Sequence, residues 1–427
     1  MGILQPLLGG YRDLPINTTP TYTAIQAPGE AWNFTNQPLH LGVIMPINGK
    51  LLNFSVGISS YPSNASRRFT VMLNNSATHL DFTLTGTDTS GCDFRNVLNI
   101  TSGDLIMYRE IDSGSISPTD KSYPSIVWAG NNGVILGGAQ HATATIDGYC
   151  RLGTHVQGIV QSSTSNFGIV ILPTDCVIRN LFVRVDSSPT SIGADKTFTL
   201  VKNGSETGLT VTLSGSNTSG SDITHSVSFL AGDNASLVSK AWGNTSRSVN
   251  IAFGMEVICA NSSESLLFVG NEGGVFSART NDLYYSSVVG AYTQENPPLV
   301  PNSVPHSFAP INFSAKNLYF YNSSTAGSGK VFRVLAYVNT GYPGSVQINQ
   351  LNLQSLKVTV SDNSILESDN VNSFSVQKFQ SLIFVYAQTN GAFVKISSGS
   401  WGHSMVINNV QLEMPMVFHD RFITEIG

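Results

Sequence analysis

Apolar and polar residues alternate along several short segments of the chain. Residues 196–202 (Lys-Thr-Phe-Thr-Leu-Val-Lys) and 209–214 (Leu-Thr-Val-Thr-Leu-Ser) show a period near two, which is typical of half-buried β-strands. Asn203-Gly204 follows the first segment and favours the positive φ angles of a tight type I′ hairpin. No stretch shows a sustained helical period. The pattern predicts an all-β protein of antiparallel, jelly-roll-like β-sandwiches.

The same motifs occur three times along the chain. In each copy a proline closes a short apolar run, and an asparagine follows seven residues later. Residues 69–104 match residues 198–233 at a constant offset. The third copy is more diverged, since its turn reads Phe379-Gln380 where the first two have glycine and aspartate. The repeated positions are Pro46, Pro173 and Pro310, Asn53, Asn180 and Asn317, and the turns Gly103-Asp104 and Gly232-Asp233.

These repeats predict three tandem sandwiches, at residues 1–131, 132–261 and 262–413, followed by a tail at 414–427. A repeat of about 130 residues is long enough to enclose one two-sheet core, so we expect each sandwich to be self-contained. The three are expected to stand either around a pseudo-threefold axis or in a row. The shared prolines should end strands, because proline cannot donate a ladder hydrogen bond. Residues 104–125 and 261–305 alternate less regularly, and we expect loops and edge strands there.

Composition narrows the classes of protein. Only 11% of the 427 residues are charged, against about 25% in typical domains. The net charge is -5 and no basic block occurs, which argues against a nucleic-acid partner. No window has the roughly 20 apolar residues of a membrane span. The composition, rich in Ser, Thr, Asn and Gly, resembles that of an exposed surface protein. The first ten residues nevertheless lack the features of a secretory leader. Taken together, these observations lead us to expect a protein that folds in the host cytoplasm and leaves in a particle. A chain that had lost its leader would look the same.

Residues with catalytic or metal-binding chemistry are scattered. The eight histidines fall at unrelated positions of the repeat, and G-x-S-x-G and H-E-x-x-H motifs do not occur. The four cysteines are far apart and form no C-x-x-C pair, which favours free buried thiols over a zinc site. The sequence therefore predicts that the protein is not an enzyme and has no cofactor or metal. The cysteines are Cys92, Cys150, Cys176 and Cys259.

Two further sets of residues have alternative interpretations. Aspartates near the turns could converge on a calcium ion, but no D-x-D-x-D-G loop supports this, so we interpret them as solvated turn residues. Trp242 and Trp401 lie near loops and are the candidates for stacking on a sugar, although packing in a core or between domains explains them as well. The aspartates are Asp88, Asp93, Asp104, Asp222 and Asp233.

The repeat resembles a β-sandwich module of structural and surface proteins of tailed phages and large DNA viruses. The resemblance rests on the proline-to-asparagine spacing, the hairpin at 198–204 (Phe-Thr-Leu-Val-Lys-Asn-Gly) and the turn at 231–233 (Ala-Gly-Asp). It covers the first two copies well and the third less well. It implies a virion component, such as a capsid decoration, minor capsid, fibre or spike protein, and it implies no particular receptor-binding residue.

The resulting hypothesis is a structural virion protein on the surface or in the capsid shell. Its expected partners are other virion proteins, and self-association as a trimer or pseudo-trimer is expected. The alternative is a receptor- or glycan-binding fibre or adhesin module, with host surface glycans as partners. An enzyme such as a polysaccharide depolymerase would need convergent carboxylates, which the sequence does not reveal.

Overall fold

The chain forms thirty-two β-strands in the part that the structure, a computed structural model, describes. The described residues are 3–8, 12–13, 20–23, 25, 42–59, 65–114, 121–131, 133–143, 148–150, 152–153, 155–156, 169–189, 195–240, 248–272, 276–278, 283–287, 293–294, 307–322, 328, 331–339, 351–361, 364–388, 394–396 and 399–406.

The first sandwich consists of strands β1 to β10. One sheet has the order β1-β10-β5-β8, with β2 beside β10, and the other has the order β3-β9-β6-β7, with β4 beside β9. Its core contains the fully buried side chains of Phe54, Phe69, Tyr108 and Trp128. The strands are β1 (Ile3–Leu8), β2 (Arg12–Asp13), β3 (Thr21–Thr23), β4 (Val43–Ile44), β5 (Gly49–Ile58), β6 (Ser66–Leu73), β7 (Ser76–Thr85), β8 (Ser90–Ile100), β9 (Leu105–Asp112) and β10 (Lys121–Gly130).

The second sandwich repeats this arrangement with β11 to β20. Its sheets have the orders β13-β11-β20-β15-β18 and β12-β19-β16-β17, with β14 beside β19. All described pairs are antiparallel except β11 with β13. The strands are β11 (Val134–Thr143), β12 (Gly148–Cys150), β13 (His155–Val156), β14 (Val170–Ile171), β15 (Cys176–Val185), β16 (Lys196–Lys202), β17 (Ser205–Leu213), β18 (Ser219–Phe229), β19 (Asn234–Lys240) and β20 (Ser248–Cys259).

The third sandwich contains β21 to β32. Its sheets have the orders β21-β32-β26-β29 and β24-β23-β30-β27-β28, with β25 beside β30 and a separate pair of β22 with β31. The strands are β21 (Glu264–Glu272), β22 (Phe276–Ala278), β23 (Leu283–Ser287), β24 (Thr293–Gln294), β25 (Ser307–Phe308), β26 (Phe313–Asn322), β27 (Val331–Asn339), β28 (Leu351–Ser361), β29 (Leu366–Val376), β30 (Ser381–Gln388), β31 (Val394–Ile396) and β32 (Gly399–Val406).

The repeated asparagine marks the same β-bulge in every sandwich. Asn53, Asn180 and Asn317 have φ angles of 53°, 54° and 56°. The register of the strand ladder shifts at each of them. Asparagine tolerates this left-handed conformation better than other side chains, because its amide can bond to the local backbone. The proline-to-asparagine spacing therefore fixes the distance from the end of one strand to the bulge in the next.

The all-β fold of three tandem sandwiches is confirmed. Each shared proline lies just after the short strand β4, β14 or β25, and the predicted hairpin joins β16 to β17, with φ angles of 49° at Asn203 and 78° at Gly204. The expectation of loops and edge strands in 104–125 is wrong for β9, which lies inside its sheet between β3 and β6. The boundaries 1–131, 132–261 and 262–413 stay predictions, and the tail 414–427 is outside the described residues.

Candidate functional site: the contacts between the sandwiches

A buried aspartate lies beside the bulge in each sandwich. The Oδ1 atom of Asp222 accepts hydrogen bonds from the amides of Thr224 and His225, both at 3.1 Å. Its Oδ2 atom accepts the amide of Thr210 on the neighbouring strand β17 at 3.0 Å. The prediction that these aspartates are solvated turn residues is wrong at this repeat position, because three backbone amides need a buried acceptor here. The equivalent residues Asp93, Asp222 and Asp369 are 6%, 7% and 8% exposed, and each accepts the matching set of three amides.

Replacing Asp222 with asparagine should make the protein less sensitive to acid. Burial raises the pKa of Asp222, but hydrogen bonds from Thr210, His225 and Thr224 outweigh it and hold this pKa well below its ordinary value. A carboxylate with a lowered pKa stabilises the fold above the unfolded pKa near 4 and loses this effect as the pH falls through the folded pKa. We expect Asp222→Asn to cost about 2 kcal/mol at pH 6, with the difference from the unmodified chain shrinking towards pH 2.

Urea unfolding followed by circular dichroism across this pH range would measure the effect. Asp195→Asn, at an exposed position of the same sandwich, is the control and should change little. An equal loss of stability for Asp222→Asn at pH 6 and at pH 2 would contradict the assignment.

The glycine–aspartate turn after edge strands β8 and β18 is hydrogen-bonded to the residue before the shared proline. The amide of Gly103 donates to the carbonyl of Met45 at 2.8 Å, and the amide of Gly232 donates to Leu172 at 2.8 Å. Both turns point towards the next sandwich. A Cβ atom on Gly232 would lie 3.5 Å from the ring of Tyr319. The glycine–aspartate turn predicted from sequence therefore forms part of an interface between sandwiches.

The first interface places strand β4 against β11, β15 and β20 of the second sandwich. Ile44 of β4 packs in one buried cluster with Phe182. Gly254 permits the approach, since a Cβ atom there would lie 1.8 Å from the carbonyl oxygen of Ile44. Gly137, its partner across the strands, would place a Cβ atom 2.5 Å from Val43. Two paired glycines thus leave a bare patch of sheet on which β4 lies.

The second interface repeats the first. Strand β14 lies against β21, β26 and β32 of the third sandwich, and Ile171 packs with Tyr319. Gly402 of β32 is the register partner of Tyr319, as Gly254 is of Phe182. A glycine opposite an aromatic residue therefore lies in the sheet that contacts the short strand at both interfaces.

A buried polar group links the second and third sandwiches as well. Glu264 is 6% exposed and accepts a hydrogen bond from the hydroxyl of Thr174 at 2.5 Å. Its other carboxylate oxygen is paired with the ammonium group of Lys316. Because a buried carboxylate is costly unless it is paired, this contact favours one fixed placement of the two sandwiches.

The third interface closes the set by bringing β25 against β10 of the first sandwich. Phe308 and Tyr123 form a buried pair across it, and Ile311 packs with residues of β1 and β10. The ammonium group of Lys378 lies 5.7 Å from the ring centre of Phe94. The contacts thus run from the first sandwich to the second, from the second to the third, and from the third back to the first.

At the closing interface, the large residue is on the turn and the small residue is on the sheet, which is the opposite of the other two interfaces. Phe379 replaces the turn glycine, keeps a positive φ of 70° and donates its amide to the carbonyl of Ala309 at 2.8 Å. Two residues after the bulge asparagine, the first sandwich has the buried Ser55 where the others have Phe182 and Tyr319. The bulky residue therefore lies on the sheet at two interfaces and on the turn at the third. This difference distinguishes the closing contact from the other two.

The three first strands, β1, β11 and β21, meet one another, and Gln5 bonds all three together. Its side-chain amide donates to the carbonyls of Ile135 at 2.9 Å and Leu266 at 3.3 Å, and its oxygen accepts the amide of Ile135 at 2.7 Å. Gln5 is 2% exposed. Its side chain therefore bonds to backbone groups of both other sandwiches.

These strands also exchange side chains in a cycle. Ile135 of β11 belongs to the first core, Leu266 of β21 to the second and Leu8 of β1 to the third. The expectation of self-contained sandwiches is therefore wrong in one respect: each core is completed by its neighbour. Together with the three interfaces, this exchange makes a closed ring, which we call the three-sandwich ring.

The side chains of the two tryptophans predicted to stack on a glycan lie outside the part of the chain that the structure describes. Trp242 lies outside the described residues. Trp401 is on β32, where its register partners are Gly270 and Phe320, and its side chain lies outside the described part. Stacking on a sugar stays a prediction for both residues.

The structure also shows the environment of the four cysteines. All four cysteines are free, and three are buried, but Cys92 is half-buried. Cys176 and Cys259, far apart in sequence, are direct neighbours across β15 and β20.

Among the described residues no group of three or more His, Cys, Asp or Glu could hold a metal ion. The same part of the chain contains no helix that is long and apolar enough to cross a membrane.

Comparisons with known proteins give likenesses to solved structures, among them the following two. No family model and no curated protein matches the chain. One match is to the X-ray structure of the entire lipid-containing bacteriophage PM2, at 10% identity and a TM-score of 0.18, covering 86% of this chain and 98% of that one. Another is to Paenibacillus xanthan lyase, at 10% identity and a TM-score of 0.15, covering 83% of this chain and 52% of that one. Likenesses with TM-scores this low carry no information about function.

Proposed function

We propose that the chain is a structural virion protein, a capsid decoration, minor capsid or fibre component that acts through shape and subunit packing. The observation that carries the proposal is the cyclic exchange of Ile135, Leu266 and Leu8 among the three cores. A protein joined in this way presents three similar outer faces at fixed angles. Such a block suits a position of threefold symmetry in a shell or spike.

The surface chemistry supports the same role. Charged residues are 11% of the chain, and the buried aspartates accept backbone hydrogen bonds within their own sandwiches. The resemblance of the repeats to modules of phages and large DNA viruses adds to this. A localisation in the virion, after folding in the host cytoplasm, belongs to the same proposal.

Neighbouring virion proteins, or further copies of the chain, would pack on the outer edge strands β8, β18 and β29. Each ends its sheet. Each also exposes an apolar side chain near the buried aspartate: Ile223 is 65% exposed and Val371 93%, and Phe94 remains 49% exposed beside Lys378 of the closing interface. Exposed strand edges and apolar patches are the features that protein contacts use. Their repetition offers similar contacts in three directions.

Peptide mass spectrometry of purified particles tests the proposal. Particles from a culture that produces the chain should contain it in a fixed ratio to the major shell protein. Cryo-electron microscopy of the same particles should show a three-lobed density of its size. Particles that lack the chain after density-gradient purification would overturn the proposal.

A glycan array with the full chain separates this role from that of a receptor-binding module. We expect no specific binding for a purely structural protein. Binding that is lost in Trp242→Ala or Trp401→Ala, with both variants still folded, would favour the binding module instead.

A further inference from the structure

Two cysteines face each other across neighbouring strands of the second sandwich. Cys176 begins β15 and Cys259 ends β20, and the two are direct partners in the antiparallel register. Directly opposite residues project from the same face of a sheet. Both side chains are 4% exposed, so the two thiols share one buried environment.

The backbone bonds define the type of pair. The amide of Ala260 donates to the carbonyl of Asp175 at 2.8 Å, which makes the flanking pair the hydrogen-bonded one. Hydrogen-bonded and non-hydrogen-bonded pairs alternate along an antiparallel ladder, so Cys176 and Cys259 form a non-hydrogen-bonded pair. The Cα atoms of such pairs are about 4.5 Å apart, with the side chains close together. This spacing falls within the range that a disulfide spans without backbone movement.

We propose that Cys176 and Cys259 are a covalent modification site, at which an intramolecular disulfide joins β15 to β20 when the protein meets an oxidising medium. The oxidant is a small disulfide such as glutathione disulfide. One thiolate attacks it, one glutathione leaves, and the second cysteine displaces the other glutathione. One S–S bond breaks and one forms, and the two cysteines lose two electrons and two protons to give two molecules of glutathione.

The pair is particular to the second sandwich. The first sandwich has Gly49 opposite Gly130 at the corresponding end of β5 and β10. Burial, with a smaller effect of Glu264, raises the pKa of the Cys259 thiol to about 12. Burial and the neighbouring Cys259 raise the pKa of Cys176 as well. Because the thiolate is the reacting form, oxidation of the folded protein is slow, and the bond forms fastest during refolding or at alkaline pH.

The thiols are accessible to glutathione in the unfolded chain. Refolding the full chain from urea in a glutathione redox buffer therefore tests the site without the slow step caused by burial. Free thiols are then alkylated in denaturant, and the peptides are analysed by mass spectrometry. We expect a peptide that links Cys176 to Cys259, with Cys92 and Cys150 alkylated. The melting temperature of the oxidised protein should rise by about 5 °C, because the bond closes a loop of about 80 residues in the unfolded chain.

Variants make the assignment specific. Cys176→Ala and Cys259→Ala should each abolish the rise in melting temperature on oxidation, whereas Cys150→Ala should keep it. Alkylation of all four cysteines after refolding, or a linkage that includes Cys150, would overturn the proposal. Because the readout is a linked peptide, the test of the disulfide does not depend on the proposed role in a virion.

Discussion

Replacing Gly254 with alanine should force the first and second sandwiches apart and lower the free energy of unfolding by about 3 kcal/mol or more. The added Cβ atom would lie 1.8 Å from the carbonyl oxygen of Ile44. That oxygen belongs to the backbone of β4, which has no alternative rotamer, so the strand itself must move. The movement would also open the buried cluster in which Ile44 packs with Phe182.

Urea unfolding and native-state hydrogen exchange would measure this effect. We expect a lower midpoint and faster exchange of the Gly103 amide, which is bonded to Met45 beside the same interface. Gly208→Ala is the matched control: it lies on an edge strand of the same sandwich, and its nearest atom would be 3.6 Å away, in the ring of His225. A Gly254→Ala protein as stable as Gly208→Ala would show that β4 does not lie on this patch.

Replacing Gln5 with leucine should lower the free energy of unfolding by about 3 kcal/mol, although the side chain keeps a similar size. The change removes the bonds to Ile135 and Leu266 and leaves a buried backbone amide and carbonyls without their partner. Buried backbone groups that lose a partner cost far more than exposed ones. The loss therefore falls on all three sandwiches at once.

Thermal unfolding compares the variant with Gln354→Leu, in which a half-buried glutamine loses a local bond to the carbonyl of Asn352. We expect a marked fall in melting temperature for Gln5→Leu and almost none for Gln354→Leu. In Gln5→Leu, exchange of the Ile135 amide should also become faster. Equal melting temperatures for the two variants would argue against Gln5 as the link among β1, β11 and β21.

The sequence was sufficient for the fold class, because the repeats carry local signals that tertiary contacts do not override. The bulge asparagines, the prolines after β4, β14 and β25, and the Asn203-Gly204 hairpin all use backbone conformations that few other residues adopt. Their spacing therefore showed where strands end. Asp93 and Asp222 were misjudged because their hydrogen-bond partners on a neighbouring strand cannot be read from local sequence.

Strand β9 shows why the interfaces were harder to predict. Its residues Leu105, Ile106, Met107 and Tyr108 form a continuous apolar run without alternation. Ile106 and Tyr108 point into the first core, whereas Leu105 and Met107 belong to the cluster shared with the second sandwich. A strand buried on both faces lacks the period of two. This absence of alternation was itself the signal of a covered outer face, and it was interpreted as irregular structure.

The choice between a ring and a row also lay beyond the sequence. It depends on close backbone approaches at Gly137 and Gly254. No local sequence signal separates these two from the other glycines among the 39 in the chain. The cysteine pair was missed for a related reason. Cys176 and Cys259 come together only through the register of β15 and β20, which requires the strand order of the sheet.

Short connections between the sandwiches have a kinetic and thermodynamic consequence. Strand β10 ends at Gly130 and β11 begins at Val134; β20 ends at Cys259 and β21 begins at Glu264. Partners tethered by so few residues meet at an effective concentration in the millimolar range. Ring closure is thus a first-order process that dilution does not reverse, and no mixture of incomplete assemblies arises. A single translated molecule suffices to make one finished unit, even where a compartment holds only a few copies.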